Sequence, residues 1–109
     1  PTGIVEDADG TFYISEYGVG AERIRAFDPD GKLLRAWGGF GEEPGQVNRA
    51  MDISLGPDGL LYVADTGNHR IQVFDKSGEW IRAFGGETII EFPYDAAWGP
   101  DGLLYAADY

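Results

Sequence analysis

Along Arg23-Ile24-Arg25-Ala26 polar and apolar residues alternate one for one, the period of a strand with one buried face, and Phe27 follows. Short runs of this kind follow one another along the chain, and few stretches could hold a helix of ten residues. The pattern predicts strands at 3–6, 11–15, 23–27, 32–37, 52–55, 61–64, 70–74, 79–84, 95–98 and 104–107. Asp-Gly or Ser-Gly pairs at 9–10, 30–31, 58–59, 77–78 and 101–102 separate neighbouring strands. They predict two-residue hairpins with positive φ, which Gly adopts freely and Asp more readily than most residues.

These strands recur in a fixed order. Asp9-Gly10-Thr11-Phe12-Tyr13-Ile14 returns as Asp58-Gly59-Leu60-Leu61-Tyr62-Val63 and as Asp101-Gly102-Leu103-Leu104-Tyr105-Ala106, at spacings of 49 and 43 residues. Arg23-Ile24-Arg25-Ala26-Phe27-Asp28 matches Arg70-Ile71-Gln72-Val73-Phe74-Asp75 at a spacing of 47. Leu34-Arg35-Ala36-Trp37-Gly38-Gly39 matches Ile81-Arg82-Ala83-Phe84-Gly85-Gly86 at the same 47. Four antiparallel strands in a unit of this length is the size of one propeller blade. The expected class is therefore all-β: a β-propeller segment of about two and a half blades, at 1–49, 50–92 and 93–109.

The run Leu61-Tyr62-Val63-Ala64-Asp65-Thr66-Gly67-Asn68-His69-Arg70-Ile71-Gln72-Val73-Phe74 resembles the signature of the NHL-repeat family of β-propellers. Asn68-His69 stands where that family has its Asn-His-Leu triplet, with Arg70 in third place. Pro93 and the Gly85-Gly86 pair fit as well. The first unit departs from the pattern: Glu16-Tyr17-Gly18-Val19-Gly20-Ala21-Glu22-Arg23 is two residues longer and lacks both Asn and His. Ala50 stands where the other units have Pro1 and Pro93. The resemblance implies a propeller fold. The family includes scaffolds, receptors and a few lyases, whose metal is held by histidines from several blades.

Charge narrows the field. The 109 residues carry a net charge of −11, and the isoelectric point lies near 4.2. Such a surface repels the phosphates of nucleic acids and of anionic membranes, so neither is an expected partner. There is no cysteine, hence no disulfide and no thiolate chemistry. No apolar run reaches the roughly 18 residues of a membrane-spanning helix.

Candidate chemistry is sparse. Asp65 and Arg70, with Glu16 and Arg23 at the same places in the first unit, flank a strand-to-strand loop and read as structural ion pairs that recur with the scaffold. His69 is the only histidine, too few for a histidine-held metal, and Ser15, Ser54 and Ser77 lie in no nucleophile elbow. Asp7-Ala8-Asp9-Gly10 and Asp28-Pro29-Asp30-Gly31 lack the ligand spacing of a calcium loop. No catalytic residue, metal or cofactor is expected. Phe12, Tyr13, Phe27, Trp37, Tyr62, Phe74, Phe84 and Tyr105 recur at repeat positions and read as core between blades. The longer, more variable loops emerge on one face, with Tyr17, Glu22, Phe40, Arg49, His69 and Glu87 as candidate contacts for a protein or small molecule.

The functional expectation is a non-enzymatic binding or scaffold segment. Its partners would be other copies of itself, a two-fold dimer through 93–109 being the simplest, or the remaining blades of a longer propeller. The alternatives are a piece of a lyase-type propeller enzyme with its catalytic residues in other blades, and an engineered fragment without activity.

Overall fold

Two four-stranded antiparallel meanders and a two-stranded ribbon make up the computed structural model, which describes residues 2–18, 20–85, 93–98 and 104–108, the last two ranges as backbone only. The first sheet runs β1 (Gly3–Glu6), β2 (Phe12–Glu16), β3 (Arg23–Phe27) and β4 (Leu33–Gly38) in sequence order. The second repeats it as β5 (Ala50–Leu55), β6 (Leu61–Asp65), β7 (Arg70–Phe74) and β8 (Trp80–Gly85). β9 (Pro93–Trp98) and β10 (Leu104–Asp108) form the ribbon. Every strand read from the sequence is present, and the two Arg-Ile strands β3 and β7 have the expected bounds.

The turns differ from expectation in length. Asp7 N–H donates to the Thr11 carbonyl at 3.0 Å, and Gly10 N–H returns to the Asp7 carbonyl at 3.1 Å. The same pair of bonds closes 28–32, 56–60 and 75–79. Each loop therefore holds three residues rather than two, and only its glycine is left-handed: φ is +83° at Gly10, +84° at Gly31, +81° at Gly59 and +97° at Gly78. The aspartate before the glycine keeps an ordinary φ. A turn followed by one left-handed residue matches the twist of the strands without asking a second residue for positive φ. The working carboxylate sits earlier. Asp28 Oδ1 accepts the N–H of Asp30 and of Lys32 at 2.9 and 2.8 Å, and Asp7 and Asp75 do the same in their turns.

Strand alternation sorts the apolar residues between two interfaces. Tyr13, Ile24 and Ala26 on one face of the first sheet pack against Ile53, Leu61, Val63 and Phe74 of the second, with Val47 from the connection and Ala50 from the start of β5 filling in. Trp37 closes the rim, its ring 6.0 Å from that of Phe74 and seated over Gly78, where a Cβ would lie 2.9 Å from the indole. The far face of the second sheet buries Tyr62, Ala64, Ile71 and Val73. β9 packs along β5 and β6. All five residues of β6 are buried as a result.

The outermost strands are wetter than the repeat suggests. Phe84 on β8, expected in the core, is 40% exposed, because β8 lies at the sheet edge. Phe12 and Phe27 are half-buried. The side chain of Tyr105 lies outside the described residues.

Leu61→Ala should lower the unfolding free energy by about 2–5 kcal/mol through the cavity it opens between blades. Leu34→Ala on the exposed β4 should stay within about 0.5 kcal/mol. Urea unfolding followed by tryptophan fluorescence distinguishes the two.

Candidate functional site

Donors from the second blade and from the connection before it converge on one carboxylate. Asp65, fully buried at the end of β6, accepts four donors: the Asn48 backbone N–H at 2.7 Å, Asn68 Nδ2 at 3.0 Å, Arg70 Nε at 2.7 Å and Gln72 Nε2 at 2.9 Å. The donors reach further, into the connection from the first blade. Arg70 Nη2 donates to the carbonyls of Glu43 and Gln46, at 3.1 and 2.9 Å. Gln72 Nε2 also donates to the Gln46 carbonyl at 2.6 Å, while its Oε1 accepts Gly45 N–H at 3.0 Å. Asn68 Nδ2 donates to the Gly41 carbonyl at 2.8 Å. A carboxylate at a strand end and a guanidinium five residues on thus fix a loop that has no strand partners of its own. The Asp65–Arg70 pair read from the sequence forms an ion pair of 2.7 Å. Gln72, Asn48 and Asn68 complete it; Gln72 and Asn48 were not singled out from sequence, and Asn68 only as part of the Asn-His match.

The first blade carries the same device with different chemistry. Glu16 Oε1 accepts Arg23 Nε at 2.9 Å and Arg25 Nε at 2.6 Å, and Oε2 accepts Arg25 Nη2 at 2.9 Å. Arg25 stands where the second blade has Gln72, and its guanidinium lies 5.0 Å from the Phe27 ring centroid. Burial works to raise the Glu16 pKa, but the hydrogen bonds and charges of Arg25 and Arg23 outweigh it and hold the carboxyl below its ordinary 4.5.

At the opposite rim Asp7 links the blades. Burial raises its pKa, yet the Thr11 and Asp9 amides, the Lys76 ammonium at 3.5 Å and the Tyr13 hydroxyl at 3.2 Å bring it below 3.8. Arg35 donates twice to the Lys76 carbonyl, at 2.9 and 2.6 Å. In the next unit Asp58 takes the Tyr62 hydroxyl at 2.6 Å. Burial together with Asp7 and Asp58 pushes the phenols of Tyr13 and Tyr62 up.

The loop face gathers four of its six candidates. Gly18, Gly20, Glu22 and Phe40 line a shallow hollow of about 410 Å³. Glu22 Oε2 accepts Arg49 N–H at 2.9 Å, and the Arg49 guanidinium lies 5.8 Å from the Tyr17 ring centroid. Phe40 is 68% exposed. His69 belongs to the next blade, where it ends the short helix Thr66–Asn68 with φ +57°. Arg49 also has φ +57°, so the non-glycine left-handed residues among those described both lie on this face. Glu87 lies outside the described residues, and these hold no cluster of three or more His, Asp or Glu suited to a metal.

The model of the NHL repeat matches residues 48–74. No curated protein sequence matches the chain. Among solved structures, selenomethionine-substituted virginiamycin B lyase from Staphylococcus aureus superposes with a TM-score of 0.76 at 19% identity, covering 99% of this chain and 34% of that one. Hydrazine synthase from Kuenenia stuttgartiensis gives 0.78 at 20% identity, covering 99% and 29%. A protein of unknown function from Bacteroides caccae gives 0.74 at 17%, covering 97% and 37%. The chain thus carries an NHL repeat within propeller blades, and it spans about a third of the length of these structures.

Two outcomes follow from the carboxylates. Asp65→Ala leaves Arg70 without its buried partner and should cost about 3–5 kcal/mol in urea unfolding. Glu16→Ala should cost less than half of that, since the Arg23 and Arg25 side chains are 41% and 29% exposed and water screens them. Glu16, Asp7 and Asp58 have folded pKa values below their ordinary ones. Their contribution is therefore complete above the unfolded pKa values and is lost as pH falls through the folded ones. The urea midpoint should hold from pH 7 to about 5 and drop below about 4, with a shallower drop in Glu16→Gln.

Proposed function

We propose that this stretch of NHL-type propeller is a binding and assembly module and not an enzyme. One observation carries the reading. The outward face of the first sheet presents Ile4, Phe12, Ile14 and Phe27 at the register positions where the second sheet has Ile53, Leu61, Val63 and Phe74. In the second sheet those four are covered by the first blade. In the first, Ile4 is 63% exposed and forms one wall of a hollow of about 330 Å³ with Thr2, Gly3 and Ile14. A face built to be buried is an interaction surface.

Its charged groups support the same reading, since Asp65, Arg70, Asp7 and Arg35 are all engaged in ties between the blades or to their connection. The partner is a second copy of this chain, meeting it about a two-fold axis, or the remaining blades of a longer propeller. The hollow beside Phe40 is the place for a small molecule or a protein loop. The enzyme names of two matched structures belong to those proteins, because 19 and 20% identity carries the fold alone.

Light scattering at about 0.1 mM, well above the micromolar range of specific contacts, tests self-assembly. The intact chain should have the mass of a dimer or larger species, and Ile4→Glu should return it to a monomer. A monomeric mass for the intact chain rules out the homo-oligomer.

A further inference from the structure

We infer that the polar half of this outward face is a seat for a peptide segment that brings a carboxylate, with Arg25 as the residue that selects it. The inference rests on reading the face as an interaction surface and names the partner's chemistry.

The second blade supplies the template. There Arg70 and Gln72 Nε2 hold residues 41–48 by donating to carbonyl oxygens, while the Asp65 carboxylate accepts the Asn48 N–H and Gln72 Oε1 the Gly45 N–H. The first blade presents Glu16, Arg23 and Arg25 in the same register, with no counterpart of 41–48 against them among the described residues. Arg25 and Ile14 are direct cross-strand partners, as are Ile14 and Ile4, so Arg25 stands one strand away from Ile14 in the wall of the apolar hollow.

Replacing Gln72 by Arg25 changes what can sit there. An amide both donates and accepts, whereas a guanidinium only donates. A segment shaped like 41–48 would turn its Gly45-type N–H onto a cation. Two guanidiniums to one carboxylate also leave a local charge of +1 on a chain of net −11. Glu16 already occupies Nε of both arginines and Nη2 of Arg25, leaving Nη1 of Arg25 and the outer nitrogens of Arg23 for an incoming acceptor. A side-chain carboxylate on the segment adds an acceptor for these donors and neutralises the surplus charge.

The test is a double exchange. Two labelled synthetic peptides of residues 38–49 carry Gly45→Asp or Gly45→Asn, which differ in charge and hardly in shape. Position 45 has φ +90°, which both residues tolerate better than most, and a Cβ there meets nothing within 4 Å. Binding to the full chain is read by fluorescence anisotropy with protein near 1 µM upward, so self-association is scored separately by its mass. The Gly45→Asp peptide should bind the natural chain at least about five-fold tighter than the Gly45→Asn peptide, and the ratio should fall to about one on Arg25→Gln.

Should Arg25→Gln fail to fold, Arg25→Lys should keep the preference. On the natural chain the preference should shrink as salt rises from about 50 to 500 mM. Equal binding of the two peptides overturns the proposal. So does a preference that survives Arg25→Gln, or no binding of either peptide at about 1 mM. Loss of self-association with the peptide preference intact would overturn only the assembly reading.

Discussion

Burying a carboxylate requires that nearly all of its lone pairs be met, and Asp65 meets this by recruiting residues far apart in the chain. One of its donors is a backbone amide of the connection at Asn48, and three are side chains from the short helix and β7. Those side chains then hold carbonyls at 41, 43 and 46. The connection is thereby fixed without being a strand, and Val47 is carried into the core between blades. The apolar interface and the ionic hub are one construction: removing the charge frees the loop, and freeing the loop uncovers Val47.

The opposite rim is tied by different means. There the reach is from turn to turn, through Lys76 to Asp7 and through Arg35 to the Lys76 carbonyl. The two four-stranded blades are thus clamped to each other at both ends of their strands, with the tyrosine and leucine layer between. In each of the two four-stranded units the tyrosine is linked to its own turn, yet by an aspartate from a different turn position: Asp7 for Tyr13 and Asp58 for Tyr62. Gly56, standing where the first unit has Asp7, forces the exchange.

The repeat made the strands legible, because a strand that alternates in one unit and returns 47 residues later leaves little freedom in its placement. Turn length was not legible from the Asp-Gly pairs alone. The pair looks the same in a two-residue and a three-residue loop, and the deciding signal is the aspartate three positions before the glycine at Asp7, Asp28 and Asp75. The Asp65–Arg70 pair was legible from its spacing, but Gln72 was not. Its partners lie in a loop whose path no periodicity describes. Setting Arg25 beside Gln72, two polar residues at one repeat position in the middle of β3 and β7, would have marked that position. Phe84 misled because a repeat position says nothing about whether a strand is inner or outer in its sheet.

The reach of the Asp65 hub also says where this architecture can be divided. Its members run from Gly41 to Gln72, so the connection upstream of β5 belongs mechanically to the blade that follows it. Cut at residue 50, the second blade keeps four strands but loses the carbonyls and the amide that occupy Arg70, Gln72 and Asp65. Cut near residue 40, it takes its polar contents along. The transplantable unit is a loop followed by a sheet, and a blade moved into another propeller without that leading loop would arrive with a buried anion and too few donors to hold it.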